Sequence, residues 1–160
     1  MIKDRAFLNI IRSTPLVSVD LIIGNSTGEV LLGQRLNAPC RGFWFVPGGI
    51  VRKNERIKGA IQRVSKNELG LSLDSHDMRF LGVFEHLYPD NFLGEDGVDT
   101  HYVVLAYETQ VHDDVSLVLD EQHSEAKWWR VGELLQDPGV HENTKSYFRN
   151  DEVYCDSIKN

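Results

Sequence analysis

A chain of 160 residues with 41% apolar content holds enough for one domain with one core, and residues 1–160 are expected to form it. A net charge of -7 without any dense basic cluster excludes an electrostatic groove for nucleic acid, so a polyanionic small molecule would need a divalent cation or local arginines beside it. No apolar run approaches bilayer length and no signal-type segment opens the chain. Its two distant cysteines, Cys40 and Cys155, read as free thiols of a reducing compartment, so a cytoplasmic domain with no membrane partner is expected.

Asp4 to Arg12 places Phe7, Leu8, Ile10 and Ile11 at amphipathic helical spacing, for packing on the domain or on a second subunit, and Ser13-Thr14-Pro15 ends it. A strand follows in which Val17, Val19, Leu21 and Ile23 alternate with Leu16, Ser18, Asp20 and Ile22, so Asp20 points away from the most apolar row. It is either a solvated strand residue or a carboxylate on a sheet face that carries a site. Gly24 to Gly28 has hairpin-turn composition, and the strand Glu29 to Arg35 returns from it. Arg35 is either a surface charge or an anion clamp.

Phe43-Trp44-Phe45-Val46 reads as an apolar strand stopped by Pro47-Gly48-Gly49. Beyond a polar loop, Ile57, Ala60, Ile61 and Val64 share one helical stripe, and Gly70 stands where a C-terminal cap belongs. Glu68, four residues past Val64, shares that inward side. A buried carboxylate needs a cation or hydrogen-bond donors, so Glu68 either belongs to an Arg63–Glu68 surface arrangement or ligates a metal.

Further strands are expected at Arg79 to Leu87, His101 to Tyr107, Val115 to Leu119 (the weakest) and Ala126 to Val131. The stretch His86 to Gly97, rich in aromatics, acids and turn formers, reads as a binding loop, and Asp120 to Glu125 as a polar loop. Helical character returns around Glu142 to Arg149. Strands and helices alternate without a regular βαβ period, which argues for an α+β domain with a mixed sheet and helices on its faces.

The spacing of Gly49, Glu55, Arg63, Glu68, Gly70 and Leu71 resembles the Nudix box, G-x5-E-x7-R-E-U-x-E-E-x-G-U with U a bulky apolar residue. Val64 and Asn67 stand where that box carries glutamates, and Ser65 where it prefers an apolar residue. The usual glutamate-rich metal cluster therefore cannot form. The resemblance implies the Nudix fold, a mixed β-sheet sandwiched between helices.

Several further stretches, among them Arg12 to Ser18, Trp44 to Gly49, Asp90 to Phe92, Thr100 to Leu105 and Asp120 to His123, resemble the GDP-mannose mannosyl hydrolase family of Nudix proteins. That likeness implies magnesium-dependent hydrolysis of GDP-mannose, or a related GDP-sugar, to GDP and free sugar. Water would attack the sugar C1 with inversion, as in inverting glycoside hydrolysis. It further implies Glu68, the Gln122 side-chain oxygen and the Gly48 carbonyl as Mg2+ ligands, and His123 as general base, where the residue alone reads equally as an inert loop histidine.

Arg35 and Tyr102 match family positions on the diphosphate; Asp20 and His86 match positions near the substrate. Arg63 is expected to orient a carboxylate. Tyr88 or Phe92 is a candidate to stack on guanine, by aromatic content alone. The family carries an arginine directly after the second glycine, where this chain has Ile50; Arg52, two residues on, is the candidate substitute. A homodimer is implied. Two other readings compete: a Nudix pyrophosphatase that cuts a P–O bond, and a nucleotide-sugar-binding module without turnover.

Overall fold

A computed structural model of the chain describes residues 4–112 and 123–149, with the side chains of His123 and Ser124 outside that description. The alternating apolar row of β1 (Leu16–Gly24) makes it the centre of a mixed sheet. It runs parallel to β6 (Thr100–Gln110) along its whole length and pairs antiparallel with β2 (Glu29–Arg35) and with the short β4 (Gly48–Ile50). β2 continues outward to β3 (Trp44–Phe45) and to β7 (His123–Arg130), while β5 (Arg79–Tyr88) pairs with β6 on the far side.

Because side chains alternate across a strand, β1 feeds two cores. Val19, Leu21 and Ile23 face α2 (Ile57–Leu69) and meet its Ala60, Ile61 and Val64. On the other face Ile22 joins Val30, Phe84, Val104 and Trp129, covered by Leu134 of α3 (Val131–Gln136) and by Tyr147 just past α4 (Glu142–Ser146). The layers are helix, sheet, helix, the α+β architecture expected of the sequence. α1 (Asp4–Ser13) closes one end, with Leu8 and Ile11 buried against Leu16 and Val98 of its own chain.

α2 stops as its sequence demands. Gly70 adopts φ 70°, the left-handed region that favours glycine, and its N–H donates to Lys66 O while the Leu71 N–H donates to Ser65 O. Three expectations need correction. The strand expected over Phe43 to Val46 is only Trp44–Phe45, and past Pro47 the chain re-enters the sheet, with Gly48–Ile50 paired to Ser18 to Asp20. The stretch 123–125 belongs to β7 rather than to a loop, because its backbone finds a partner in β2. The expected binding loop starts later than His86, because His86 to Tyr88 pair with β6 as the end of β5; beyond them Asn91, fully buried, donates at 2.8 Å to both Glu95 O and Val98 O. The strand expected at Val115 to Leu119, with Gln122, lies outside the described residues.

Candidate active site

A cleft of about 1040 Å3 opens where β1, β2 and β4 meet α1 and α2. Phe7, Ile10, Leu16 and Ile50 line it with apolar side chains, and Arg35, Arg52, Lys53, Asn67 and Glu68 with polar ones. Asp20, His86, Tyr88, Tyr102 and Gly48 line it too, whereas Phe92, the other stacking candidate, does not.

The tightest convergence is at Gly48. β4 pairs Gly48 with Asp20 across β1, and the inward stripe of α2 brings Glu68, only 7% exposed, to the same place. The Gly48 N–H donates to Glu68 Oε2 at 3.1 Å. A Cβ on Gly48 would collide with Asp20 Oδ1 and lie 3.0 Å from Val19 O, so only glycine lets the two carboxylates approach the same backbone. The Gly49 neighbour is equally confined: its Cβ would stand 2.9 Å from Val64 Cγ2. The valine that replaces a box glutamate thus packs in the core against the glycine turn.

Arg63 holds Glu55 in its hydrogen bonds, and the Glu68 charge acts on the same guanidinium. It forks onto Glu55, with Nε to Oε1 at 2.8 Å and Nη2 to Oε2 at 2.9 Å, and Nη2 also donates to Ile50 O at 2.8 Å. Glu55 further accepts from the Arg52 N–H at 2.9 Å. The Arg63 guanidinium pulls the Glu55 carboxyl down to about 2, from an ordinary 4.5. This clamp ties the middle of α2, at Arg63, to the loop after β4 that carries Arg52 and Lys53. Ile50 takes no part in the charge pattern: it packs with Phe7, Phe92 and Tyr102 under α1.

On the sheet face opposite α2, the Tyr147 hydroxyl donates to Asp20 Oδ2 at 2.6 Å and lies 3.3 Å from His86 Nε2. Burial raises the Asp20 carboxyl to about 6, offset in part by the Tyr147 hydrogen bond and by the Arg35 charge. Burial drives His86, 4% exposed, down to about 4, with His141 adding to the effect, so its imidazole is neutral at physiological pH. Arg35 lies over the Phe45 ring, 5.3 Å from its centroid, at the β2 position paired with His123 of β7. That register places the His123 backbone beside a cleft residue.

Tyr88 corrects the stacking expectation. It is 5% exposed and packed among the rings of Phe45, Tyr102 and His141, at 6.3, 5.9 and 5.4 Å between centroids, so little of it is left for a base. Phe92 packs on Phe7 at 5.2 Å beneath α1. Tyr147, which the sequence reading did not single out, has no spacing signal to find it by: its partner Asp20 is 127 residues away. Among the described residues no group of three His, Cys, Asp or Glu side chains converges as a metal cage. Nor is any described helix long and apolar enough to cross a membrane.

The NUDIX domain family model matches residues 14–150. The low-salt glycan biosynthesis protein Agl8 of Haloferax volcanii is 45% identical over 127 residues, covering 79% of this chain and 78% of that one. An 8-oxo-dGDP phosphatase, NUDT18 of Danio rerio, is 31% identical over 111 residues, covering 69% of this chain but only 31% of that longer protein. Among solved structures, a MutT NUDIX hydrolase from Burkholderia pseudomallei superposes with a TM-score of 0.69 at 25% identity, covering 88% of this chain and 100% of that one.

Proposed function

The chain belongs to the NUDIX domain family, hydrolases of nucleoside diphosphate derivatives, and from that premise we propose that it hydrolyses GDP-mannose or a related GDP-sugar at the C1–O bond. The observation that carries this reading is the thinned metal face of α2. Glu68 is the carboxylate α2 turns into the cleft, while Val64 is buried against Gly49 and Asn67 is neutral. A site with one glutamate suits charge relief on a diphosphate leaving group better than a multi-metal attack at phosphorus.

Oxygen donors suit magnesium: the Glu68 carboxylate faces the cleft beside the Gly48 backbone, whose N–H donates to Glu68 Oε2 at 3.1 Å. Glu68, the Gly48 carbonyl and Gln122 would hold the ion, which when bound would neutralise the diphosphate. Arg35, Arg52 and Lys53 add positive charge to the same cleft, with Arg52 in place of the arginine absent at Ile50. Tyr102 would contact the diphosphate, and Asp20 and His86 would face the sugar.

His123 would take the proton from water as the water oxygen bonds to C1. The C1–O bond breaks with its electron pair left on GDP, and the base then releases its proton to solvent. The pairing of His123 with Arg35 across β2 and β7 supports this assignment. The glycan-biosynthesis name of the Haloferax relative fits a nucleotide-sugar substrate. The reading includes a cytoplasmic homodimer, testable by sedimentation, although α1 already packs on its own domain.

Similarity to an 8-oxo-dGDP phosphatase favours a second reading, hydrolysis at phosphorus. Turnover of GDP-mannose with magnesium in water enriched in heavy oxygen separates the two. Label in free mannose with unlabelled GDP is the expected result. Label in GMP or mannose phosphate would move the reaction to phosphorus, and binding without any turnover would make the chain a nucleotide-sugar-binding module.

A further inference from the structure

We propose that Tyr147 is a positioning residue for this site, holding the Asp20 carboxylate with one oxygen turned inward and the other turned to the cleft beside Gly48. The inference rests on the reading of the cleft as a hydrolytic site. Its ground is geometric. Tyr147 is 9% exposed, its ring is locked edge-on against Phe84 at 4.7 Å, and its hydroxyl lies between Asp20 Oδ2 at 2.6 Å and His86 Nε2 at 3.3 Å.

A phenol has one hydrogen. With that hydrogen committed to Asp20, the phenolic oxygen can only accept from His86, which is then held as the tautomer with hydrogen on Nε2. The order is His86 to Tyr147 to Asp20, every donor pointing at the carboxylate. The other carboxylate oxygen, Oδ1, is the one a side chain on Gly48 would strike, so it stands at the cleft floor as the acceptor left for substrate.

The charged and titratable groups around Asp20 are Arg35 from β2, His86 and Tyr88 from β5, Tyr102 from β6, Tyr147 itself, and Glu68 of α2, which shares the Gly48 backbone with it. Of these, Tyr147 makes the direct hydrogen bond to the carboxylate, and it comes from beyond α4, outside the box and the sheet. A carboxylate on a two-bond rotor loses direction when a fixed hydrogen-bond partner is removed. Misplacing a group by about 1 Å can cost on the order of a hundredfold in rate.

The test is a double-mutant cycle in turnover together with one substrate-free readout. Tyr147→Phe is expected to lower kcat for GDP-mannose about tenfold to a hundredfold, with KM changed less than about twofold. Adding Tyr147→Phe to Asp20→Asn is expected to cost nothing further, since the tyrosine acts through the carboxylate. Losses that multiply in the double variant, or an unchanged kcat in Tyr147→Phe, overturn the inference.

The imidazole nitrogen shifts of His86, read by NMR without substrate, are expected to move with Asp20→Asn in the wild-type background and to stay in place with Asp20→Asn in the Tyr147→Phe background. Absence of the first movement overturns the inference even if Tyr147→Phe does not fold. A wild-type chain that releases no GDP from GDP-mannose rejects the functional reading alone, and the His86 shifts still decide the role of Tyr147.

Discussion

Arg63 grips both carboxylate oxygens of Glu55, at 2.8 and 2.9 Å, in the fork geometry that gives arginine its advantage over lysine. The pair is largely shielded, with side-chain exposures of 21% and 17%. Glu55→Gln is expected to destabilise the chain by about 1–3 kcal/mol, the usual worth of a hydrogen bond to a charged group. The folded-state value of Glu55 is depressed from 4.5 to about 2, so its stabilisation is present above pH 4.5 and fades as pH falls toward 2. Urea midpoints of the two chains should therefore differ at pH 7 and converge near the acid end. A constant difference would assign the effect to packing alone.

Glu68→Gln keeps an acceptor for the Gly48 N–H but removes the charge. Magnesium-dependent turnover is expected to fall by about a hundredfold or more, in the range of lost electrostatic stabilisation at an active site, while the thermal midpoint changes little. A magnesium titration of GDP release measures it. Chelation with EDTA should abolish wild-type turnover and magnesium restore it.

Two buried groups near each other pull the pH profile of stability in opposite directions. His86 is depressed to about 4, so it binds fewer protons folded than unfolded, and its contribution is lost as pH falls from about 6.5 toward 4. Asp20 is raised to about 6 from 3.8, so its carboxyl favours the folded state at low pH and that benefit is lost as pH rises through 6. Between pH 4 and 6 the two slopes oppose, and Asp20→Asn should expose a rising limb due to His86. Unfolding free energies across that window give the answer; a profile in Asp20→Asn parallel to wild type would remove Asp20 from the balance.

His123→Gln is expected to leave a folded chain that turns over about a hundred- to ten-thousand-fold more slowly, the usual range for a lost general base. KM should hold, because the imidazole acts on water rather than on the nucleotide. Wild-type kcat in this variant would take His123 out of the mechanism.

Periodicity and local chemistry made most of the secondary structure legible. The alternation in Leu16 to Gly24, the stripe of Ile57 to Val64 and the Gly70 cap each depend on neighbours a few residues away, and each forms where its pattern places it. Where a segment's conformation depended on a distant partner, the pattern failed. Gly48–Ile50 looks like a turn until β1 offers its edge, and His123 looks like loop until β2 does.

Periodicity and spacing by themselves determined an α+β chain with Glu68 turned inward, and the resemblance to the Nudix box, without its full set of glutamates, implied the family fold. The tertiary structure alone decided which carboxylate Arg63 holds, that Tyr88 is walled in by its aromatic neighbours, and that Asp20 is held by a tyrosine 127 residues away. The physical reason is that hydrophobic periodicity encodes which face of an element is buried. Hydrogen-bond partners are chosen only when the packed faces bring distant polar groups within about 3 Å of one another.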